Sequence, residues 1–378
     1  MAWTAHSPSA DQRKARGRDG KMRIGSFWPY SRALIPSAEI ARRNPDVLDL
    51  DNHISFVQSL EAIGMDFVLI ADGYAPASEA NSRIGFQDPS TNAVILAVPL
   101  ILATRHIGVI STLHTSFMHP VLIARLGAHL DWISGGRWGW NIVNGFRDHE
   151  ARLFGLEGKM DHDGGYELAQ EAVDVIKKIW ENPQQGVLHE GKRFKVTGKI
   201  RRPVPDALPL LVSAAASKMG RAFAAANCDY LFTAAQTVDA LKELSADLLQ
   251  GAAVGGRAEI PQILMLSDIL VRENPGEAQD LYAELRASAD AEAEKTWKSH
   301  LAKIGTNRTA PGELMTFLGT APEIADQIID LHRQSGLTGL ILRMPLWSAQ
   351  EAMRLEPIFA QLEKAGIWVP PSRRAYCW

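Results

Sequence analysis

Short apolar runs rich in β-branched and aromatic residues alternate along this chain with longer stretches whose apolar positions recur at helical spacing. The runs cover residues 22–28, 66–71, 106–113, 137–143, 208–214, 229–233, 262–271 and 338–343. Helical periodicity covers 51–63, 91–104, 120–133, 165–180, 218–226, 238–249, 323–335 and 349–365. Such alternation implies parallel strands joined by crossover helices. Eight repeats predict an α/β fold, a (β/α)8 TIM barrel with insertions. The rival doubly wound sheet would place a glycine-rich turn after its first strand. Here that strand runs into Phe27-Trp28-Pro29-Tyr30, and no GxGxxG occurs in the chain.

Two connections exceed the usual length. One, 146–207, contains a helix; the other, 272–320, carries a charged helical stretch over 277–300. Long connections in a barrel serve as active-site lids or oligomer contacts. A lid is therefore expected at 272–320, bearing Lys298, Lys303 and Arg308. Thr320-Ala321-Pro322-Glu323 is a capping box that restarts a helix. Residues 1–21, polar and basic without an apolar stretch, are expected to be a disordered tail, 22–368 a single domain, and 369–378 a C-terminal tail.

Residues 134–145, SGGRWGWNIVNG, combine a buried strand pattern with an abrupt polar end. Trp138, Trp140, Ile142 and Val143 suit a buried pleated surface, yet Asn141 and Asn144 intrude where packing alone prefers carbon. A buried amide needs partners for its donors and acceptor. Those partners are either the following turn or a ligand.

With 378 residues, 46% of them hydrophobic, the chain can bury one large barrel core. A net charge of -3 gives no electrostatic reason to bind nucleic acid or an anionic membrane. Cys228 and Cys377 form no metal or redox spacing, which fits a reducing, cytoplasmic setting. The longest apolar run, 93–103, is broken by Pro99 and too short to span a bilayer.

In a barrel the site lies at the C-terminal strand ends. The polar residues there are Asp72, Ser111, Thr112, His114, Asn141, Asn144, Ser217 and Arg343, with Trp28, Trp138, Trp140 and Trp347 nearby. Aromatic walls suit a planar, partly polar ligand, although each tryptophan taken singly also suits core filling. Residues 213–220 place small side chains at a helix start. Bare N–H groups with the Ser217 hydroxyl there make an anion site able to take a phosphate, or Ser217 is an ordinary N-cap. The eleven histidines form no HExxH or HxH pair, and no GxSxG occurs. Chemistry without a metal or nucleophile motif falls to a bound organic cofactor.

Residues 107–112 with His119-Pro120, 134–155 (SGGRWGWNIVNGFRDHEARLFG), the 217–220 turn and 319–328 (GTAPEIADQI) together resemble the bacterial luciferase-like flavin-dependent monooxygenases. The resemblance covers nearly all of 22–368. It is strongest to the group holding pyrimidine oxygenase, dibenzothiophene sulfone monooxygenase and dimethylsulfone monooxygenase. It implies reduced FMN delivered by a separate NAD(P)H-dependent flavin reductase, O2 as cosubstrate, and a homodimer or homotetramer. By resemblance, Ser217 through Gly220 and Tyr166 hold the FMN phosphate, Ala71, Asp72 and Glu150 contact the flavin, and Ser111 joins the cofactor site. Thr112 and Asn141 stand at the reactive flavin edge, where oxygen adds at N5. The resemblance further implies a nonprolyl cis peptide at Ser111-Thr112 and a flavin (hydro)peroxide that oxygenates the substrate and leads to C–N or C–S cleavage. The family's usual Arg before Tyr166 is Gly165 here, for which Lys218 or His162 are candidate substitutes. Two alternatives stay open: hydride transfer with a deazaflavin or flavin, and flavin binding without turnover.

Trp28, Tyr30, Tyr74, Phe86, Trp138, Trp140 and Trp347, with Arg308 and Arg343, are the expected substrate pocket and lid residues. Their aromatic character favours a flat heterocycle over a short sulfonate, which needs several cations around it.

Overall fold

The eight apolar runs pair side by side, all parallel, and close on themselves. A computed structural model describes Asp11 and residues 19–374, apart from 146, 159, 216, 234, 236, 255, 256, 258 and 304–313. In chain order the elements begin with β1 (Arg23–Phe27), helices Ala38–Arg43 and Leu50–Ala62, β2 (Phe67–Ile70), helices Glu79–Arg83 and Ala93–Ala103, and β3 (Gly108–His114). Helix Pro120–Ser134, β4 (Trp138–Val143), helices Asp148–Leu153 and His162–Glu181, and a hairpin of β5 (Val187–Glu190) and β6 (Lys195–Gly198) follow. Then come β7 (Leu210–Ala214), helix Lys218–Asn227, β8 (Tyr230–Thr233), helix Val238–Val254, β9 (Gln262–Val271), and helices Glu277–Ala287 and Ala291–Lys303. The chain ends with β10 (Thr316–Gly319), helix Ala321–Ser335, β11 (Gly339–Arg343), and helices Ala349–Met353 and Glu356–Lys364.

The barrel order is β1-β2-β3-β4-β7-β8-β9-β11, closed by β11 on β1. The upper half of β9 also pairs with β10, so its long apolar run serves three neighbours, β8, β11 and β10. Sequence periodicity did not reveal the β5–β6 hairpin or β10. The helix expected over 349–365 is two helices, because Pro357 in the first turn of the second has no N–H to continue the first. The charged stretch after β9 is likewise two helices.

One parity of each strand faces inward. Phe67, Leu69, Ile110, Leu210, Val212, Tyr230, Leu264 and Ile341 fill the barrel interior. The other parity packs against the helices, and it carries Trp138 and Trp140. Their indole N–H groups donate to Ser111 Oγ and Leu113 O, both at 3.2 Å. Trp28 and Trp347 stack on either side of His53, at 5.6 and 5.4 Å between ring centroids. These four tryptophans are therefore core, not pocket walls, and Ser111 points away from the barrel mouth; strand parity is the reason for Trp138, Trp140 and Ser111.

Helix Pro120–Ser134 reaches the barrel this closely because Gly127 has no side chain. A Cβ there would stand 2.8 Å from the Trp138 ring and 3.0 Å from that of Trp180. Gly127→Ala is expected to cost about 1–3 kcal/mol through overpacking, read as a lower urea midpoint at unchanged slope.

The first and last described segments meet at the bottom of the barrel. Buried Asp66 accepts from Ile24 N at 2.8 Å and Trp368 Nε1 at 3.1 Å, and pairs with Arg374. The expected C-terminal tail is thus docked as far as Arg374, held by a carboxylate that needs a cation. Residues 1–10, 12–18 and 375–378 lie outside the described residues. No helix among the described residues is long and apolar enough to cross a membrane.

Candidate active site

Inward parity continues past the apolar layer into a polar one at the C-terminal mouth. Thr112 and Asn141 are register partners on β3 and β4. Thr112 Oγ1 donates to Ile70 O at 2.8 Å and accepts from Asn141 Nδ2 at 2.9 Å. This chain of bonds orients the amide and leaves Asn141 Oδ1 buried without a partner. Ser111-Thr112 is not among the cis peptide bonds, which for the described residues are Asp88-Pro89 and Arg202-Pro203. The expected cis bond is corrected by the pairing of β3, which keeps regular parallel register with β4 from Val109 to His114.

Ala71 and Asp72 follow β2. Asp72 Oδ2 accepts from Asn92 Nδ2 at 2.8 Å and Ala93 N at 3.1 Å, and Oδ1 from Gly73 N at 2.8 Å. Burial pushes its carboxyl up to about 6, against the N–H bonds, and the Glu150 carboxylate adds to the rise. A folded-state value above the unfolded one means that this group favours the folded chain most below about pH 4. That contribution is lost as pH rises through 6. Urea unfolding of wild type against Asp72→Asn at pH 5 and 7 is expected to move in the wild type's favour at the lower pH.

Glu150 is fully buried, on helix Asp148–Leu153. Its Oε1 accepts from Tyr74 N at 2.9 Å, Ala75 N at 3.3 Å and Arg147 Nη1 at 3.2 Å, while Oε2 has no partner. Arg147 also donates to Ala75 O. The Trp297 ring lies over its guanidinium, 5.8 Å from ring centroid to Cζ, and meets Phe86 edge-on at 5.6 Å. Helix Ala291–Lys303 thus covers the mouth, and Ala293 packs with Ala80, Ile84 and Phe86. Lys298 is exposed, 3.7 Å from Glu294. Arg308 and the Lys303 side chain lie outside the described residues.

Arg343 and Asp268 face one another inside the barrel, with Nε to Oδ1 at 2.5 Å and Nη2 to Oδ2 at 2.9 Å. Tyr282 of the inserted helix donates to Asp268 Oδ2 at 2.6 Å. Arg343 is therefore occupied within the protein. Tyr74, His114, Phe117 and Phe154 form an aromatic cluster, with Phe117 stacked on Phe154 at 4.5 Å and Tyr74 edge-on to both. Tyr30 lies edge-on to Phe27.

Across the barrel Ser217 caps helix Lys218–Asn227, accepting from Gly220 N at 3.1 Å. Tyr166 closes over this turn: a Cβ on Gly220 would stand 2.3 Å from its Oη. At the position where the resemblance implies Arg, Gly165 lets the helix approach Asn144, whose Nδ2 would be 3.2 Å from a Cβ there. Arg193 of the hairpin region reaches Gly164 O at 3.5 Å.

Sequence reading brought Thr112, Asn141, Asp72 and Glu150 to one mouth and Ser217, Gly220 and Tyr166 to one turn. It missed Arg147, Phe117, Phe154, Trp297 and Asp268. Only Asp268, a lone carboxylate in an apolar run, carried a local signal. No group of metal-ligating side chains occurs among the described residues.

The sequence model of a family described as luciferase-like monooxygenase matches residues 22–338. The chain is 30% identical over 288 residues to nitrilotriacetate monooxygenase component A of Aminobacter aminovorans, covering 68% of this chain and 61% of that one. It is 28% identical over 285 residues to dimethyl-sulfide monooxygenase of Hyphomicrobium sulfonivorans, covering 68% and 58%. The chain spans about three-fifths of the length of these relatives. Riboflavin lyase, solved with modified FMN and riboflavin, superposes with a TM-score of 0.85 at 22% identity over 94% of both chains. At that identity the likeness is one of fold.

Proposed function

We propose that this chain, which belongs to the luciferase-like monooxygenase family, is a two-component FMN-dependent monooxygenase. In this reading a separate NAD(P)H-dependent reductase delivers reduced FMN, and O2 oxygenates a small, flat substrate in the cytoplasm with cleavage of a C–N or C–S bond. The observation that carries the reading is the oriented Thr112–Asn141 pair, whose one unsatisfied atom is a buried acceptor at the barrel mouth.

The residues fit the cofactor. Gly220, lacking a side chain, lets the Tyr166 hydroxyl come close to a helix N-terminus that favours a phosphate. Glu150 Oε2 is an orphaned acceptor suited to an N–H group of a reduced flavin. Bound reduced FMN supplies the electrons that activate O2. Ser217, the backbone through Gly220 and Tyr166 would hold the phosphate end; Asp72 and Glu150 would orient the ring end; Thr112 fixes the Asn141 amide; and Trp297 with Arg147 excludes water from the mouth.

Oxygen consumption with a flavin reductase, NADH and FMN, across heterocycles, sulfones and sulfonates with product mass spectrometry, tests the reading. An oxygenated or cleaved product supports it; tight reduced-FMN binding with no product anywhere in the panel rejects it. Gly220→Ala displaces Tyr166 and is expected to weaken FMN binding about tenfold or more, by titration of the flavin absorbance.

A further inference from the structure

His114 is the inward-facing residue one step above Thr112 on β3, and it is fully buried. Neither ring nitrogen makes a hydrogen bond. A buried imidazole without partners costs free energy unless a ligand supplies them. The ring stacks on Phe117 at 5.6 Å and meets Tyr74 edge-on at 5.1 Å, which fixes its plane beside Thr112 at the barrel mouth.

We propose that His114 reads the substrate: its neutral imidazole accepts a hydrogen bond from an N–H or O–H of a small, uncharged molecule bound at the barrel mouth. This rests on the monooxygenase reading above and names the substrate class of that site. Burial holds the imidazole pKa down to about 4, and the Arg147 charge adds to this, so the ring is neutral at working pH. The backbone of Asp72 lies where it favours a ring N–H, though short of a hydrogen bond. With that N–H turned to Asp72, the bare nitrogen is left as an acceptor. Asn141 Oδ1 at the same mouth is an orphaned acceptor as well.

The same surroundings disfavour a polyanion. The buried guanidiniums of Arg147 and Arg343 are already matched by Glu150 and Asp268. The relative named for nitrilotriacetate handles a polycarboxylate by its name; this mouth is built for a neutral donor.

The test pairs uracil and 2-pyridone with their N-methylated twins, 1,3-dimethyluracil and N-methyl-2-pyridone. Protein labelled with 15N at histidine, its His114 signal assigned with His114→Gln, is titrated with FMN and then each probe. The expected result is an upfield move of the bare-nitrogen signal with an N–H parent and none with its twin. Equal moves with both, no move with either parent, or a move with FMN alone overturns the proposal. On any panel substrate bearing an N–H or O–H, His114→Phe is expected to raise KM about tenfold with kcat little changed, and His114→Gln to recover part of the loss. An unchanged KM overturns the proposal while leaving the monooxygenase reading intact. A wild-type enzyme without product fails that reading, whatever the His114 signal does.

Discussion

Asn141→Ala is expected to lower substrate oxidation at least about 100-fold while leaving reduced-FMN affinity little changed. The amide is fixed on one side by Thr112, which in turn is fixed by the Ile70 carbonyl. Its other atom is preorganised and unsatisfied, the condition under which a polar group acts at a reacting edge without reorganising. Alanine removes that atom and leaves the bonds of the Ser217 turn after β7 untouched. Thr112→Val removes the group that orients the amide, so the double variant should lose little more than Asn141→Ala alone, as members of one unit do. Stopped-flow turnover with flavin titration on each variant checks this. Unchanged turnover in Asn141→Ala removes the pair from its proposed role.

That pair was legible because polarity inside an apolar run is rare and needs a reason. Register, which places Thr112 beside Asn141, follows once eight parallel strands are recognised. Strand parity was harder to read. In a strand buried on both faces, hydropathy does not say which side faces the barrel axis, so Trp138 and Trp140 read as mouth residues although they face the helices. Gly139, on Asn141's parity, held a hint: the interior there is too crowded for a side chain, with Leu210 O 3.2 Å from a Cβ position. The tryptophans around His53 gather from positions far apart in the chain, and no local pattern reveals that. The hairpin of β5 and β6 has mostly exposed or half-exposed residues, so it lacks the apolar run that announced the barrel strands. Arg147 became visible only through its contacts with Glu150 and a tryptophan 150 positions away.

Asp268→Ala should destabilise the fold by about 3–5 kcal/mol, because it strands the Arg343 guanidinium, about 6% exposed, inside the barrel. Two bonds join the pair in a fork, and the Tyr282 hydroxyl adds a third to the same carboxylate. Taking two charges out of water is itself costly, so the pair is not a simple gain. Replacing both, as Asp268→Leu with Arg343→Met, should recover most of the loss. The cycle therefore separates an uncompensated charge from lost packing: urea unfolding should rank wild type near the double variant and well above Asp268→Ala. Tyr282 gives the pair a second consequence. It sits on the inserted helix Glu277–Ala287, so Asp268 ties the barrel wall to the insertion that continues into the helix over the mouth. Tyr282→Phe keeps the ring and removes one bond to a charged acceptor, at a cost of about 1.5–3 kcal/mol. If the insertion positions the cover, KM should rise in Tyr282→Phe and in the double variant alike, since both lose the bond from Tyr282 to Asp268. A KM that follows stability instead would confine Asp268 to the fold.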